Sequence, residues 1–395
     1  MTFSITGVTF LMFSVLVIAA LGYALGRITI KGVALETAGV FIVAMLFGCF
    51  LYSQLSNHVV DAKDSLDIIK NLGLILFVTS VGFIAGPKFF SNMKKSFKSY
   101  VLLGAIIILI GGLTAVACIY IGRVIGIVDN NKELTAVVVG LLSGSLTSTP
   151  AFSASTEAIG SDLEHLVSAG YGIAYIFGVI GVVLFVQLMP KFEKANMDEE
   201  RKKLIQVSDS ETKKNYDGKL IEMDSFGFMP FMLAGVLGVL VGKIAFGSFS
   251  LTTTGGCLFT ALIFGHFGRC GKISIMPKGN TLKVFRELGL MLFLIGSGIS
   301  GGAKFVETFK PIYFVFGIFM TLLPMIVSYI FAKYVLKLSL LNILGSITGG
   351  MTSTPALGTL INVAGTEDVA ASYAATYPIA LISVVIVSQV LIILF

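Results

Sequence analysis

Thr147-Ser148-Thr149-Pro150 recurs as Thr352-Ser353-Thr354-Pro355, each copy inside an apolar stretch punctuated by glycine. Threonine before proline has the order of a helix N-cap followed by a first-turn proline. A helix is therefore expected to start at each copy, with Thr149 and Thr354 as caps before Pro150 and Pro355. The start of a helix offers free N–H groups and roughly half a positive charge, which suits a carboxylate. The hydroxyls of Thr147, Ser148, Thr352 and Ser353 add neutral donors and acceptors. The chemistry implied is binding of a small anion or zwitterion. A single copy would read as a proline kink in a packed helix; duplication at corresponding places favours a site.

Neighbouring residues extend the candidate site. Ser143 and Gly144 precede the first copy as Thr348 and Gly349 precede the second. Tyr171, Tyr175, Tyr373 and Tyr377 follow at matched spacing, and are either interface anchors or lining of a cavity. Gln187 and Gln389 lie deep in apolar segments, where an amide needs a partner: another helix, or a ligand. Glu157 follows the first tip at helical spacing and is the candidate for coupling to Na+ or H+, with solvation at the segment's mouth as the alternative.

The elements that must position these residues belong to a membrane protein. The chain has 395 residues, 55% of them hydrophobic and 13% charged, and a mean hydropathy of +0.93. Ordinary soluble domains are less apolar and about a quarter charged. The net charge of +6 comes from basic residues flanking apolar runs, which reads as topology in a lipid bilayer, with no nucleic-acid patch. Cys49, Cys118, Cys257 and Cys270 are scattered, so no metal site, cofactor or disulfide framework is expected. HExxH and P-loop patterns are missing, and Gly296 to Gly302, which matches Gly-x-Gly-x-x-Gly and Gly-x-Ser-x-Gly, ends the apolar span expected over 284–301 and does not open a helix after a strand, which argues against an enzyme.

Ten spans long enough to cross hydrocarbon are expected, near 8–25, 33–52, 68–86, 100–121, 168–189, 226–246, 251–268, 284–301, 311–334 and 369–394. The first reads as a retained span, not a cleaved signal. Two further stretches, about 134–159 and 339–364, are rich in Gly, Ser, Thr and Pro, and read as re-entrant hairpins. The division is a first membrane repeat over 1–189, a polar linker over 190–225 and a second repeat over 226–395.

The repeats align in sequence. Asn71 to Phe89 matches Glu287 to Phe305 at a constant offset of 216, while Gly140 to Ala151 matches Gly345 to Ala356 at 205. Five spans per half, an odd number, makes the repeats inverted. With the termini outside, 21 of the 28 Lys and Arg fall on the inner side, Lys70 being counted among the outer ones; the positive-inside rule thus places both termini outside and the linker in the cytoplasm. The hairpins then enter from opposite faces and their tips converge. A carrier is the first reading, and a channel with the paired loops as its filter is the alternative.

Gly140-Leu141-Leu142-Ser143-Gly144-Ser145-Leu146-Thr147-Ser148-Thr149-Pro150-Ala151 and Gly345-Ser346-Ile347-Thr348-Gly349-Gly350-Met351-Thr352-Ser353-Thr354-Pro355-Ala356 resemble the aspartate:alanine exchanger family of bacterial secondary transporters. The resemblance implies exchange of small amino acids or dicarboxylates such as aspartate, alanine or succinate, in the bacterial inner membrane. It also implies an elevator-like all-α architecture on a homodimeric scaffold. Typical members carry soluble regulatory domains in the central loop, for which 190–225 is too short, and cation-coupled carboxylate symport or export is the alternative it leaves open.

Overall fold

The computed structural model describes residues 6–30, 33–34, 37–95, 97–128, 130–204, 220–246, 249–250, 252–366 and 368–395. The middle of the central linker, 205–219, and Lys31 of the charge count lie outside the described residues.

The first half runs through α1 (Gly7–Gly26), α2 (Ala38–His58), α3 (Ala62–Lys95), a π turn at Phe97–Val101 leading into α4 (Leu102–Ile125), α5 (Asn131–Ser145), α6 (Thr149–Ile159) and α7 (Glu164–Phe192). A short linker helix, α8 (Met197–Lys203), follows. The second half comprises α9 (Phe228–Gly242), α10 (Thr252–Phe267), α11 (Gly279–Ala303), the single turn α12 (Phe305–Thr308), α13 (Ile312–Tyr334), α14 (Leu340–Gly350), α15 (Thr354–Ala364) and α16 (Val369–Leu394). Two-stranded turns at Thr29–Ile30/Val33–Ala34 and Ala245–Phe246/Phe249–Ser250 stand at the same offset of 216 as the surrounding sequence.

All ten expected spans fall on helices, but their lengths differ. Among the described residues seven helices are long and apolar enough to cross a membrane: α1, α2, α3, α4, α7, α13 and α16. The expected spans 226–246 and 251–268 are corrected to 15 and 16 residues, and 284–301 falls on α11, which has 25 residues but is not among the seven. At the first of them Asp224 sets a later start, because its carboxylate accepts the N–H groups of Phe226, Gly227, Phe228 and Met229 at 2.6–2.9 Å. These four bonds hold the Asp224 carboxyl below the usual carboxylate range.

The helices pack as two bodies. α1, α2 and α3 pack with α9, α10 and α11, while α4 to α7 pack with α13 to α16. The second body holds both broken segments. The bodies meet where α7 lies against α11, α6 against α10 and α16 against α3. Outward faces carry Leu16, Phe50, Leu109, Leu113, Val124, Leu237 and Phe319, all exposed. Such apolar surface fits lipid.

Glycines set the closest approaches. On α3 and α11, Gly73 and Gly289 face each other: a Cβ on Gly73 would stand 2.5 Å from the Phe293 amide nitrogen and 2.7 Å from the Gly289 carbonyl oxygen. The pair is equated by the offset of 216. Because the obstacle is backbone, a side chain cannot be absorbed by a rotamer change, and overpacking costs about 1–3 kcal/mol. Gly73→Val and Gly289→Val should each lower the apparent Tm of purified protein by several degrees, while Gly235→Val, whose Cβ would have 3.7 Å of clearance, should not. Equal melting of all three would remove the close crossing.

Candidate functional site

The two broken segments end their first helices in the same way. At α5 the N–H of Thr147 bonds the Gly144 carbonyl at 2.9 Å and that of Ser148 bonds Ser143 at 2.8 Å. At α14 the N–H of Thr352 bonds Gly349 at 3.0 Å and that of Ser353 bonds Thr348 at 3.1 Å. This is the Schellman pattern, which places the residue after the cap in the left-handed region and normally employs glycine there. Here that residue is threonine, with φ of 50° at Thr147 and 51° at Thr352. A β-branched side chain in this region is strained by about 1–2 kcal/mol.

What offsets the strain is a pair of reciprocal bonds. Thr147 Oγ1 donates to the Met351 carbonyl at 2.9 Å, and Thr352 Oγ1 donates to the Leu146 carbonyl at 2.9 Å. Each left-handed threonine thus satisfies a carbonyl at the end of the opposite helix. The tips touch, and the helices α6 and α15 both start at this clasp.

The cap assignment of Thr149 and Thr354 is corrected by one residue. Ser148 and Ser353 are the N-caps, both extended, with φ, ψ of −97°, 96° and −93°, 98°. The Schellman turn already delivers the serine in a capping conformation, so threonine and proline fall to the first helical turn. Ser148 Oγ accepts the Ala151 N–H at 3.3 Å. The Ser353 side chain makes no cap bond to α15, and its fully buried Oγ has no partner among the described residues. Thr149 instead meets the Tyr171 hydroxyl at 3.3 Å, and Thr354 is exposed.

The other expected site residues divide. The hydroxyls of Ser143 and Thr348 bond back to Val139 and Leu344 of their own helices, at 2.9 and 2.7 Å. Gly144 and Gly349 let the broken segments press on the following helices, where an added Cβ would stand 2.5 Å from the carbonyl oxygens of Tyr171 and Tyr373 respectively. Tyr171 and Tyr175 line a small pocket with Thr37, Phe41, Thr149 and Leu294. Its volume of about 10 Å³ is that of a single water. Phe152, at the first tip, stacks on Tyr171 with centroids 4.1 Å apart and planes at 9°. Tyr373 and Tyr377 stack on each other at 5.3 Å.

Gln187 and Lys70 differ from expectation, while Gln389 takes the interhelical alternative. Gln187 does not reach the tips; it lines a groove with Pro190, Lys191, Lys194 and Val363 at the far end of α7. Gln389 bonds the Thr252 hydroxyl at 3.4 Å across to α10, an interhelical bond. Lys70, counted as an outer-surface charge, is 7% exposed, with its ammonium 2.8 Å from Asp67 and 2.5 Å from Glu164 at the start of α7. A lysine at the start of the expected span 68–86, three residues after Asp67, was the available signal, because an unpaired charge at membrane depth is costly.

Glu157 faces the other body. Its carboxylate accepts the N–H groups of Thr253 and Thr254 at 2.6 and 3.0 Å and the Thr254 hydroxyl at 3.3 Å, which satisfies the start of α10. The bond Ser153 to Thr254, at 3.2 Å, lies beside it. Nothing in the sequence spacing pairs α6 with α10, so this contact was illegible there.

The clasp makes a graded prediction. Thr147→Ala keeps the left-handed strain and loses a bond worth about 1 kcal/mol. Thr147→Gly loses the same bond but relieves strain of about 1 kcal/mol. Thr147→Ser keeps the bond. Apparent Tm should fall in the order serine, glycine, alanine, with serine and glycine near wild type; alanine melting with glycine would remove the strain, and alanine melting with serine would remove the bond.

The chain also has relatives. A family profile described as the membrane region of a predicted permease matches residues 14–191 and 230–393. An uncharacterized transporter of Bacteroides thetaiotaomicron is 29% identical over 540 aligned positions, covering 96% of this chain and 97% of that protein. One from Desulfotalea psychrophila is 24% identical over 544 positions, covering 96% of each. Each alignment is longer than 395 residues, so these relatives carry residues without a counterpart here. With both halves matched and only 192–229 between them left out, the chain belongs to the aspartate–alanine exchanger family of membrane transporters.

Proposed function

We propose that the protein is a secondary active transporter that exchanges small amino acids or dicarboxylates of the aspartate, alanine or succinate kind by alternating access. The observation that carries this is the clasp between Thr147 and Thr352, which brings the starts of α6 and α15 together. Two helix starts give two places for negative charge, which matches a substrate with two carboxylates or a carboxylate beside a small polar group. Ser353 supplies a buried hydroxyl that has no partner among the described residues. With only about 10 Å³ beside Thr149, a substrate enters when the tips part, so binding and opening are one event.

In this reading the halves are inverted five-span repeats, their hairpins re-entrant from opposite faces of the inner membrane. The termini are outside, the linker is cytoplasmic, and the clasp-bearing body moves, elevator-like, against a homodimeric scaffold of α1 to α3 and α9 to α11. Cation-coupled symport is a second reading, favoured by Glu157. Its carboxylate joins the two bodies through the N–H groups at the start of α10.

Vesicles preloaded with aspartate, alanine or succinate and offered labelled substrate should show saturable counterflow without an ion gradient. Uptake that requires a Na+ or H+ gradient selects symport, and unsaturable ohmic conduction overturns the carrier. Ser353→Ala adds a site-specific arm: it removes an unpartnered buried hydroxyl and so should raise apparent Tm, while raising KM about five-fold through loss of about 1 kcal/mol of substrate bonding. A variant with higher Tm and wild-type KM would take Ser353 out of the site.

A further inference from the structure

The linker behaves as part of the second broken segment. Its first residues are pinned to α13, where Glu193 accepts from Lys333 Nζ at 2.6 Å and from the Tyr329 hydroxyl at 2.9 Å. Asn196 then caps α8 by accepting the Asp198 N–H at 3.0 Å, and Leu204, at the other end of α8, is 8% exposed within the main core. This short polar helix is thus held at both ends.

Between those anchors, adjacent residues of α8 reach the two outer ends of the α14–α15 pair. Glu200 Oε2 accepts the N–H of Leu340, the first residue of α14, at 2.9 Å. The Ser339 N-cap leaves that task undone, since its side chain makes no cap bond and its Oγ accepts from Asn342 at 2.9 Å. Lys203 Nζ holds the other Glu200 oxygen at 2.9 Å. Arg201 places its guanidinium carbon 3.6 Å from where a Cβ on Gly365 would stand, and Gly365 is the left-handed C-cap of α15. An acid thus sits at a helix start and a base at a helix end, each the charge that the backbone dipole favours there.

Among the described residues the first broken segment has no such arrangement. α5 is capped by its own Asn130, which accepts the Lys132 N–H at 3.0 Å. α6 ends at Gly160, where an added Cβ would meet nothing within 4 Å.

We propose that α8 is a clamp on the α14–α15 hairpin, with Glu200 and Arg201 as positioning residues for the tip at Thr352-Ser353-Thr354. The clamp fixes both legs at their mouth, and through them the register of Thr352 against the Leu146 carbonyl. Releasing it lowers the fraction of protein whose tip is ready to bind, which raises apparent KM in proportion. The proposal rests on the transport reading for its functional consequence only; the contact itself is tested separately.

The experiment compares full-length wild type with Glu200→Ala, Glu200→Gln and Arg201→Ala in counterflow, apparent Tm and amide hydrogen exchange of the peptide containing Leu340. Glu200→Ala removes a cap worth about 1 kcal/mol, so KM should rise about five-fold with saturated turnover kept. Leu340 exchange should accelerate. Glu200→Gln, which keeps an acceptor oxygen, should recover part of both effects, and Arg201→Ala should raise KM in the same direction. Wild-type KM together with wild-type Leu340 exchange in Glu200→Ala overturns the clamp. Parallel falls in turnover and Tm at unchanged KM also overturn it, since they mark a merely structural contact. If Glu200→Ala does not fold, Glu200→Gln carries the same comparison. Wild-type vesicles without counterflow would defeat the transport reading, and Leu340 exchange would still decide the clamp.

Discussion

The exchange of hydrogen bonds between Thr147 and Thr352 is the constraint on which the rest of the structure depends. Each threonine is held left-handed by its Schellman turn, and each recovers the cost by bonding the carbonyl that closes the opposite helix. The same turn ends one helix, presents the following serine as the cap of the next and puts two helix starts at one place. Glycine would have made the turns easier and would have left the tips without a bond between them. The threonines therefore trade local strain for tertiary contact, the pattern expected where geometry serves function.

Two bodies surround that clasp, and the polar contacts between them are few and specific. Glu157 satisfies the start of α10, Gln389 reaches Thr252, and Lys70 lies between Asp67 and Glu164. Removing one partner from a buried ion pair leaves an uncompensated charge, which is costly at low dielectric. A displacement of one body against the other has to exchange these contacts together, so they favour discrete arrangements over gradual sliding. Apolar contacts join the bodies as well, as where Phe152 meets Phe293 with centroids 5.3 Å apart.

Much of this was legible in the residues. Apolar runs located the helices of the ten expected spans, of which seven among the described residues are long and apolar enough to cross a membrane, because hydrocarbon length sets a minimum. The repeated Thr-Ser-Thr-Pro located both helix breaks, since proline lacks an N–H and disfavours a helical residue before it. The constant offset of 216 equated Gly73 with Gly289, and these two residues touch. The cap register was missed by one residue because a left-handed threonine has no sequence signature; composition suggests glycine at such a turn, and only the opposite carbonyl makes threonine acceptable.

Sequence by itself determined the class of protein, the positions of the helices and the duplicated tip, because each follows from local propensity, hydropathy and repetition. Tertiary structure decided which hydroxyls stay free. Ser143, Thr348, Thr147 and Thr352 all spend theirs on carbonyls, while Ser353 alone among the tip hydroxyls is buried without a partner among the described residues. It also decided the roles of Gln187, Glu157, Lys70 and Glu200, whose partners lie on helices far away in the chain. Hydrogen bonding is directional and short in range, so the partner of a polar side chain is set by which helices become neighbours, and neighbours are chosen by packing.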